Sequence, residues 1–260
     1  QDKAKFSQYF SSHLVWGASR EISPRIKIKR KCVSPYDDVI LITQFFIPAD
    51  QERYKEIKKA LDKNCLNKKI QKIYLLNEKI YSSEELGSNS NKIEQINIES
   101  RLSFKKVFDF IDEQKINGII VFCNSDIFFD QTLEKLPKVN LGENKDFIGL
   151  LRYEYKNEKN LNDCKIFGPR WDSQDAWILH SKQNVDKKHR DAFSFYFGQP
   201  GCDNKLLFFM KILGYKIYND PNFLRSYHIH NQQGRNYNIQ NVEPQYFYSI
   251  PPDLNFNENN

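Results

Sequence analysis

The residues best suited to chemistry stand directly after one apolar run. Gly118-Ile119-Ile120-Val121-Phe122-Cys123 gives way abruptly to Asn124-Ser125-Asp126. A run of this kind, opened by Asn117-Gly118, has the pattern of a strand buried on both faces of a mostly parallel sheet, and it is expected to be central. In open α/β sheets, ligands bind just outside the carboxyl ends of the strands. A carboxylate there suits a hard cation such as Mg²⁺ or Mn²⁺, which takes one or two protein oxygens and fills its shell with water and substrate phosphates. The competing reading of Asp126 is a residue that caps its own turn. Three further groups stand out. Arg101 falls at a strand-to-helix junction on the ligand side, where its planar fork suits a phosphate. Asp203 opens a helical segment, a place where Asp is favoured as a cap. Tyr227-His228-Ile229-His230 follows the last strand of the main pattern; alternation on an extended segment sends both histidines to one face, and a packed or surface pair is the competing reading.

These residues need a scaffold, and the periodicity supplies one. Val39–Thr43 reads as a strand, Gln44-Phe45-Phe46-Ile47-Pro48 as its ligand-side loop, and Asp50 as the cap of a helix carrying Tyr54, Ile57, Ala60 and Leu61 up to Asn64. Ile70–Leu76 makes a second strand, Ser82–Asn91 an irregular and mobile loop, and Ile93–Ile98 a short strand. Leu102, Phe104, Val107, Phe108 and Ile111 then form one helical face that Asn117-Gly118 closes. Strands alternating with helices in this order predict parallel pairing with right-handed crossovers, a Rossmann-like nucleotide-binding half. Beyond Asp130, which caps a short helix through Leu136, the strands Phe147–Tyr153, Lys165–Phe167 and Ala176–His180 lack long helices and predict mixed or antiparallel pairing. One more helix runs from Cys202 to Leu213, ends at Gly214 and leads into Tyr215–Tyr218. The fold class is α/β, with a mixed central sheet flanked by helices. Residues 1–36 are expected to form an N-terminal extension, 37–230 the main domain and 231–260 an irregular tail.

At 260 residues, with 40% hydrophobic and 14% aromatic content, the chain can bury a full core. No apolar run approaches the roughly 20 residues that span a bilayer. The net charge of +6 suits an anionic ligand. The one dense basic run, Arg25–Lys31, reads as a solvated or edge-strand face, and no basic stripe with stacking aromatics points to nucleic acid. Five scattered cysteines without a CxxC pair argue for free thiols and a cytoplasmic setting. A start at Gln1-Asp2-Lys3 is expected of a piece of a longer polypeptide.

Taken together, three places in the right order across residues 38–230 resemble a GT-A-type glycosyltransferase. Asn124-Ser125-Asp126 is similar to that family's DxD motif, with Asn in its first position. The resemblance implies that Asp126 holds Mn²⁺ or Mg²⁺ against the diphosphate of a nucleotide-sugar donor, a UDP-sugar being favoured. Gly198-Gln199-Pro200-Gly201-Cys202-Asp203 resembles the family's acidic helix start, with Cys202 where Glu is usual. It implies Asp203 as the general base toward an acceptor hydroxyl, and hence inversion. The helix dipole there is expected to keep Asp203 ionised without a raised pKa. His228 or His230 resembles the C-terminal histidine near metal or diphosphate. Gln44, Arg101, Asn124, Ser125, Asp126 and Asp175 are the candidates for donor binding. Trp171-Asp172-Ser173-Gln174-Asp175-Ala176-Trp177 offers rings and polar groups for an acceptor glycan, with Trp177 expected in the core. Two alternatives remain. One is a sugar nucleotidyltransferase, whose Gly-rich phosphate loop is absent after the first strand. The other is a non-catalytic glycan- or nucleotide-binding domain, suggested by Asn124 and Cys202.

Overall fold

The computed structural model describes residues 18–29, 37–229 and 240–252. The elements begin with β1 (Ala18–Ile22) and β2 (Val39–Thr43), every residue of the latter buried. Asp50 caps α1 (Gln51–Leu66), its carboxylate accepting the N–H groups of Glu52 and Arg53. After β3 (Ile70–Asn77), part of the stretch read as irregular forms α2 (Ser83–Leu86). A Ser82–Glu85 capping box closes that single turn, and the Ser-x-x-Glu spacing is its sequence signal. Then come β4 (Ile93–Asn97), α3 (Phe104–Glu113) with Ser103 as its cap, β5 (Ile119–Cys123) and β6 (Ile127–Phe129). A 3-10 turn (Gln131–Lys135) capped by Asp130 leads into α4 (Leu136–Val139). The remaining elements are β7 (Asp146–Leu150), β8 (Tyr153–Tyr155), β9 (Lys165–Ile166), β10 (Ala176–His180), α5 (Cys202–Ile212), β11 (Lys216–Tyr218), β12 (Ser226–Ile229) and β13 (Tyr246–Ile250).

The main sheet runs β11-β7-β10-β5-β2-β3-β4, which puts β5 in the middle. Its first half is parallel throughout, as the alternation of strands and helices requires; β10 is antiparallel to both β5 and β7, and β11 is parallel to β7. The pleat of β5 divides its side chains between two cores. Ile119, Val121 and Cys123 join the cluster that contains Ile57 and Leu61 of α1, while Ile120 and Phe122 join Phe104 and Phe108 of α3 and Leu206 of α5. Phe104 meets Trp177 edge to face at 5.0 Å, so Trp177 is core, as expected. Cys65, Cys123, Cys164 and Cys202 are free and buried; Cys32 lies outside the described residues.

Three sequence expectations change here. The Phe147–Tyr153 run is not one strand, because the Leu151 N–H leaves the ladder to donate to Asn219 Oδ1 at 2.9 Å, and β8 then belongs to a second sheet, β6-β12-β8-β9. The tail is not irregular throughout, since β13 pairs in parallel with β1. Its Tyr246–Ile250 alternation buries Phe247 and Ser249, a period-2 signal that the neighbouring Asn and Pro residues obscure. Ile26, within the basic run read as solvated, is buried, and its N–H donates to Asp220.

Gly118 sets the start of β5. It holds φ at 147°, and a Cβ there would lie 2.6 Å from the Asp38 carbonyl oxygen. Gly118→Ala is expected to cost about 1–3 kcal/mol, the scale of enforced backbone strain, measured as a lower midpoint in urea.

Candidate functional site

The carboxyl end of β5 opens into a tight turn in which the Asn124 carbonyl accepts the Ile127 N–H at 3.2 Å. This turn tucks Asp126 inward until it is 1% exposed. A carboxylate so placed needs positive partners. Arg53 of α1 forms an ion pair with Oδ2 at 2.5 Å, and His228 of β12 reaches the same oxygen through Nε2 at 2.9 Å. The other ring nitrogen of His228 faces Glu154 Oε2 at 3.3 Å. Arg152 Nε donates to Glu154 Oε1 at 2.8 Å, and its Nη1 donates to Ser173 Oγ and to Asp175 Oδ2. Asp175 closes the circuit back to the turn: Asn124 Nδ2 donates to its Oδ1 at 2.7 Å, and the Asn124 N–H to its carbonyl at 3.0 Å.

Burial works against charge on both His228 and Glu154, but their partners prevail. Asp126 and Glu154 raise the pKa of His228, while His228 and Arg152 hold Glu154 down at about 2. Burial also disfavours the Arg152 cation, and Asp175 and Glu154 outweigh it.

Asp203 is linked to this network through one dipeptide. The Gln174 N–H donates to Asp203 Oδ2 at 2.9 Å, and the next residue is Asp175. Asp203 is the second residue of α5. The cap position itself is Gly201, in the left-handed region, without a side-chain bond, so the simple capping role does not hold. Asp203 Oδ1 accepts the Asn204 N–H. Its pKa is raised to about 7, because burial outweighs those hydrogen bonds and Asp175 and Asp172 add repulsion. The helix dipole therefore does not keep this carboxyl in its ordinary range, contrary to the sequence expectation. Around it, Tyr246 of β13 stands where a Cβ on Gly201 would meet its hydroxyl at 2.6 Å.

The other expected residues divide. Gln44 binds backbone at both ends of its amide, donating to the Ser100 carbonyl at 3.0 Å and accepting the Leu102 N–H at 3.0 Å. With Thr43 and Ser125 it lines a small cavity at the ends of β2 and β5, walled largely by apolar side chains that include Ile57 and Leu61 of α1. Arg101 joins neither Asp126 nor Asp175; its Nη2 donates to the Phe197 carbonyl beside Gly198, and burial lowers its pKa. Asp172 pairs with Arg170 through two bonds of 2.7 and 2.8 Å. His230 lies outside the described residues. Sequence reasoning missed Arg53, Glu56, Arg152 and Glu154. Arg53 and Glu56 share a helical stripe with Ile57, Ala60 and Asn64, and Arg152 and Glu154 flank Tyr153 at strand spacing. Charges in such apolar patterns were the available signal.

The expected divalent ion can be tested against this donor set. Oδ2 of Asp126 already carries two cationic partners, both nitrogens of His228 face carboxylates, and the DxD-like motif has an amide in its first position. Among the described residues, no three His, Cys, Asp or Glu side chains are grouped to hold a metal ion. Asp126 Oδ2, already paired with Arg53 and His228, does not fit a divalent ion.

No protein-family model matches the sequence, and no curated protein matches it. Solved structures do match. "GalNAc-T7 with UDP, GalNAc and Mn2+" aligns at a TM-score of 0.51 and 8% identity, covering 78% of this chain and 45% of that one. A mannosyltransferase, PcManGT from Pyrobaculum calidifontis, in complex with GDP-Man and Mn²⁺, aligns at 0.49 and 8% identity, covering 90% and 64%. The 4-diphosphocytidyl-2C-methyl-D-erythritol synthase of Anaerococcus prevotii aligns at 0.43 and 13% identity, covering 70% and 87%. The chain spans less than half the length of the GalNAc-T7 chain. The fold is GT-A-like, and the chain resembles a GT-A-type glycosyltransferase.

The His228–Glu154 contact gives a pH test. Glu154→Gln is expected to lower the His228 pKa, read from an NMR titration of the imidazole. Glu154 stabilises the fold above its ordinary pKa, and that contribution is lost as pH falls toward about 2. The Gln variant should therefore lose less stability than the unchanged protein over that acid range in urea titrations.

Proposed function

We propose that this chain is a glycosyltransferase that moves a sugar from a nucleoside-diphosphate-sugar donor, a UDP-sugar by preference, to an acceptor hydroxyl on a glycan. The observation that carries this reading is the Gln174-Asp175 pair, which ties the Asn124-Ser125-Asp126 turn to Asp203. The resemblance to GT-A enzymes supports assigning the turn to the donor side and Asp203 to the acceptor side. The UDP of the GalNAc-T7 structure supports a uridine donor. Its Mn²⁺ is not carried over, because the donor set around Asp126 does not fit one, and the displacement is derived from side chains alone.

In that displacement the bond from the anomeric carbon to the diphosphate oxygen breaks as the acceptor oxygen bonds to the same carbon from the opposite face. Asp203 takes the acceptor's proton, and the diphosphate leaves with the electron pair. A carboxyl whose pKa is about 7 is well matched to this task near neutrality, being basic enough to accept a proton while still substantially ionised. Asp172 and Trp171 stand on the same segment as Gln174 and are the candidates for acceptor contacts. Arg20 lies over the Trp171 ring at 5.9 Å.

Asp203→Asn keeps the side chain's shape and removes the base. Transfer is expected to fall by about 10²-fold or more, with donor affinity retained, in a radiolabelled-sugar assay. In the unchanged protein kcat/KM should rise through about pH 7 as Asp203 ionises; a flat profile from pH 6 to 8 would remove it from the mechanism. NMR of the product formed from an α-linked donor should show a β linkage, and an α-linked product would exclude single displacement.

A further inference from the structure

The diphosphate needs a positive partner, and the site holds one that the sequence motifs did not signal. We propose that the guanidinium of Arg53, rather than a divalent ion, is the cation this site presents to the donor's diphosphate, an inference that rests on the glycosyltransferase reading above. Arg53 is the third residue of α1, which begins just past the carboxyl end of β2, and β2 pairs with β5. That topology brings it over the Asp126 turn. Its side chain is 24% exposed while those of Asp126 and His228 are 2% and 3%, so among these three Arg53 is the side chain that solvent and ligand can reach. One turn further along α1, Ile57 lines the small cavity shared by Thr43, Gln44 and Ser125, which puts Arg53 near the carboxyl ends of β2 and β5.

The geometry of the guanidinium matters as much as its charge. Nη1 faces Glu56 Oε2 at 3.2 Å and Asp126 Oδ2 at 2.5 Å. Among the described residues neither Nε nor Nη2 donates a hydrogen bond. Two carboxylates thus hold one nitrogen and leave two others with N–H groups to offer, and a planar fork so held suits the oxygens of a diphosphate. The same contacts obstruct a metal. A divalent ion taking Asp126 Oδ2 would stand within a few ångströms of the Arg53 and His228 partners of that oxygen, and Asn124 brings no second carboxylate to offset the repulsion.

Calorimetry with UDP and GDP, each run in EDTA and in Mn²⁺, tests the proposal, with uridine and guanosine as controls. Expected is binding of at least one diphosphate in EDTA, within about threefold of its affinity in Mn²⁺. Arg53→Gln should weaken that binding by tenfold or more without changing nucleoside affinity, and Arg53→Lys should lose less. A thermal melt establishes that each variant is folded. A variant that does not fold is replaced by Arg53→Lys alone, for which unchanged diphosphate affinity at raised salt would count against the proposal, since a point charge lacks the fork. Binding seen only with Mn²⁺ overturns the role of Arg53 and leaves the glycosyltransferase reading standing. Binding in EDTA that Arg53→Gln does not weaken overturns it as well. No diphosphate binding under either condition removes both.

Discussion

A carboxylate buried at the end of the central strand cannot stand alone, and much of this molecule is arranged around that constraint. Asp126 is held by Arg53 from α1 and by His228 from β12. His228 in turn faces Glu154 of β8, Glu154 accepts from Arg152, and Arg152 donates to Asp175 just before β10. Each charge is the solvent of the next. The chain of pairs therefore fastens the four-stranded sheet to the seven-stranded one at the carboxyl end of β5. Truncating one member of such a buried pair leaves its partner uncompensated, a loss of about 3–5 kcal/mol, whereas the intact pair adds little net stability. The network is better understood as fixing positions than as supplying stability.

Much of the scaffold was legible because it rests on local patterns. The unbroken apolar run of β5 announces burial on both faces, the cap at Asp50 and the apolar face from Leu102 to Ile111 announce two helices, and the order of strands and helices announces parallel pairing. The half beyond Asp130 was read as mixed, which β10 and β11 confirm. What could not be read was the division of Phe147–Tyr153 between two sheets. That break depends on Asn219, a residue distant in the chain, accepting the Leu151 N–H.

The site shows the same contrast. Asp126 and His228 meet directly, the resemblance having implied a histidine near this place without choosing between His228 and His230, yet their other partners lie in elements read only for their apolar faces. Arg53 was passed over beside Tyr54 and Ile57, and Glu154 beside the Phe147–Tyr153 run. The ionisation of Asp203 was misjudged for a related reason. A helix start favours the anion by typically 0.3–1 kcal/mol, up to about 2 in partly buried geometries, but the opposing penalty depends on what packs over the carboxylate. Tertiary structure alone supplies that information.

The pairing of β1 with β13 joins segments from opposite ends of the described chain, Ala18 standing against Tyr246. Both approach α5: Lys211 Nζ of that helix bonds Glu21 Oε2 of β1 at 2.6 Å and lies over the Phe247 ring of β13 at 5.2 Å. This is contact of very high order, and the entropy of closing so long a loop must be met before the pairing returns any energy. During synthesis the parallel half can assemble early, but the ribbon beside α5 has to wait until β13 has been made. The packing around the Asp203 helix thereby depends on a strand made well over two hundred residues after its partner β1.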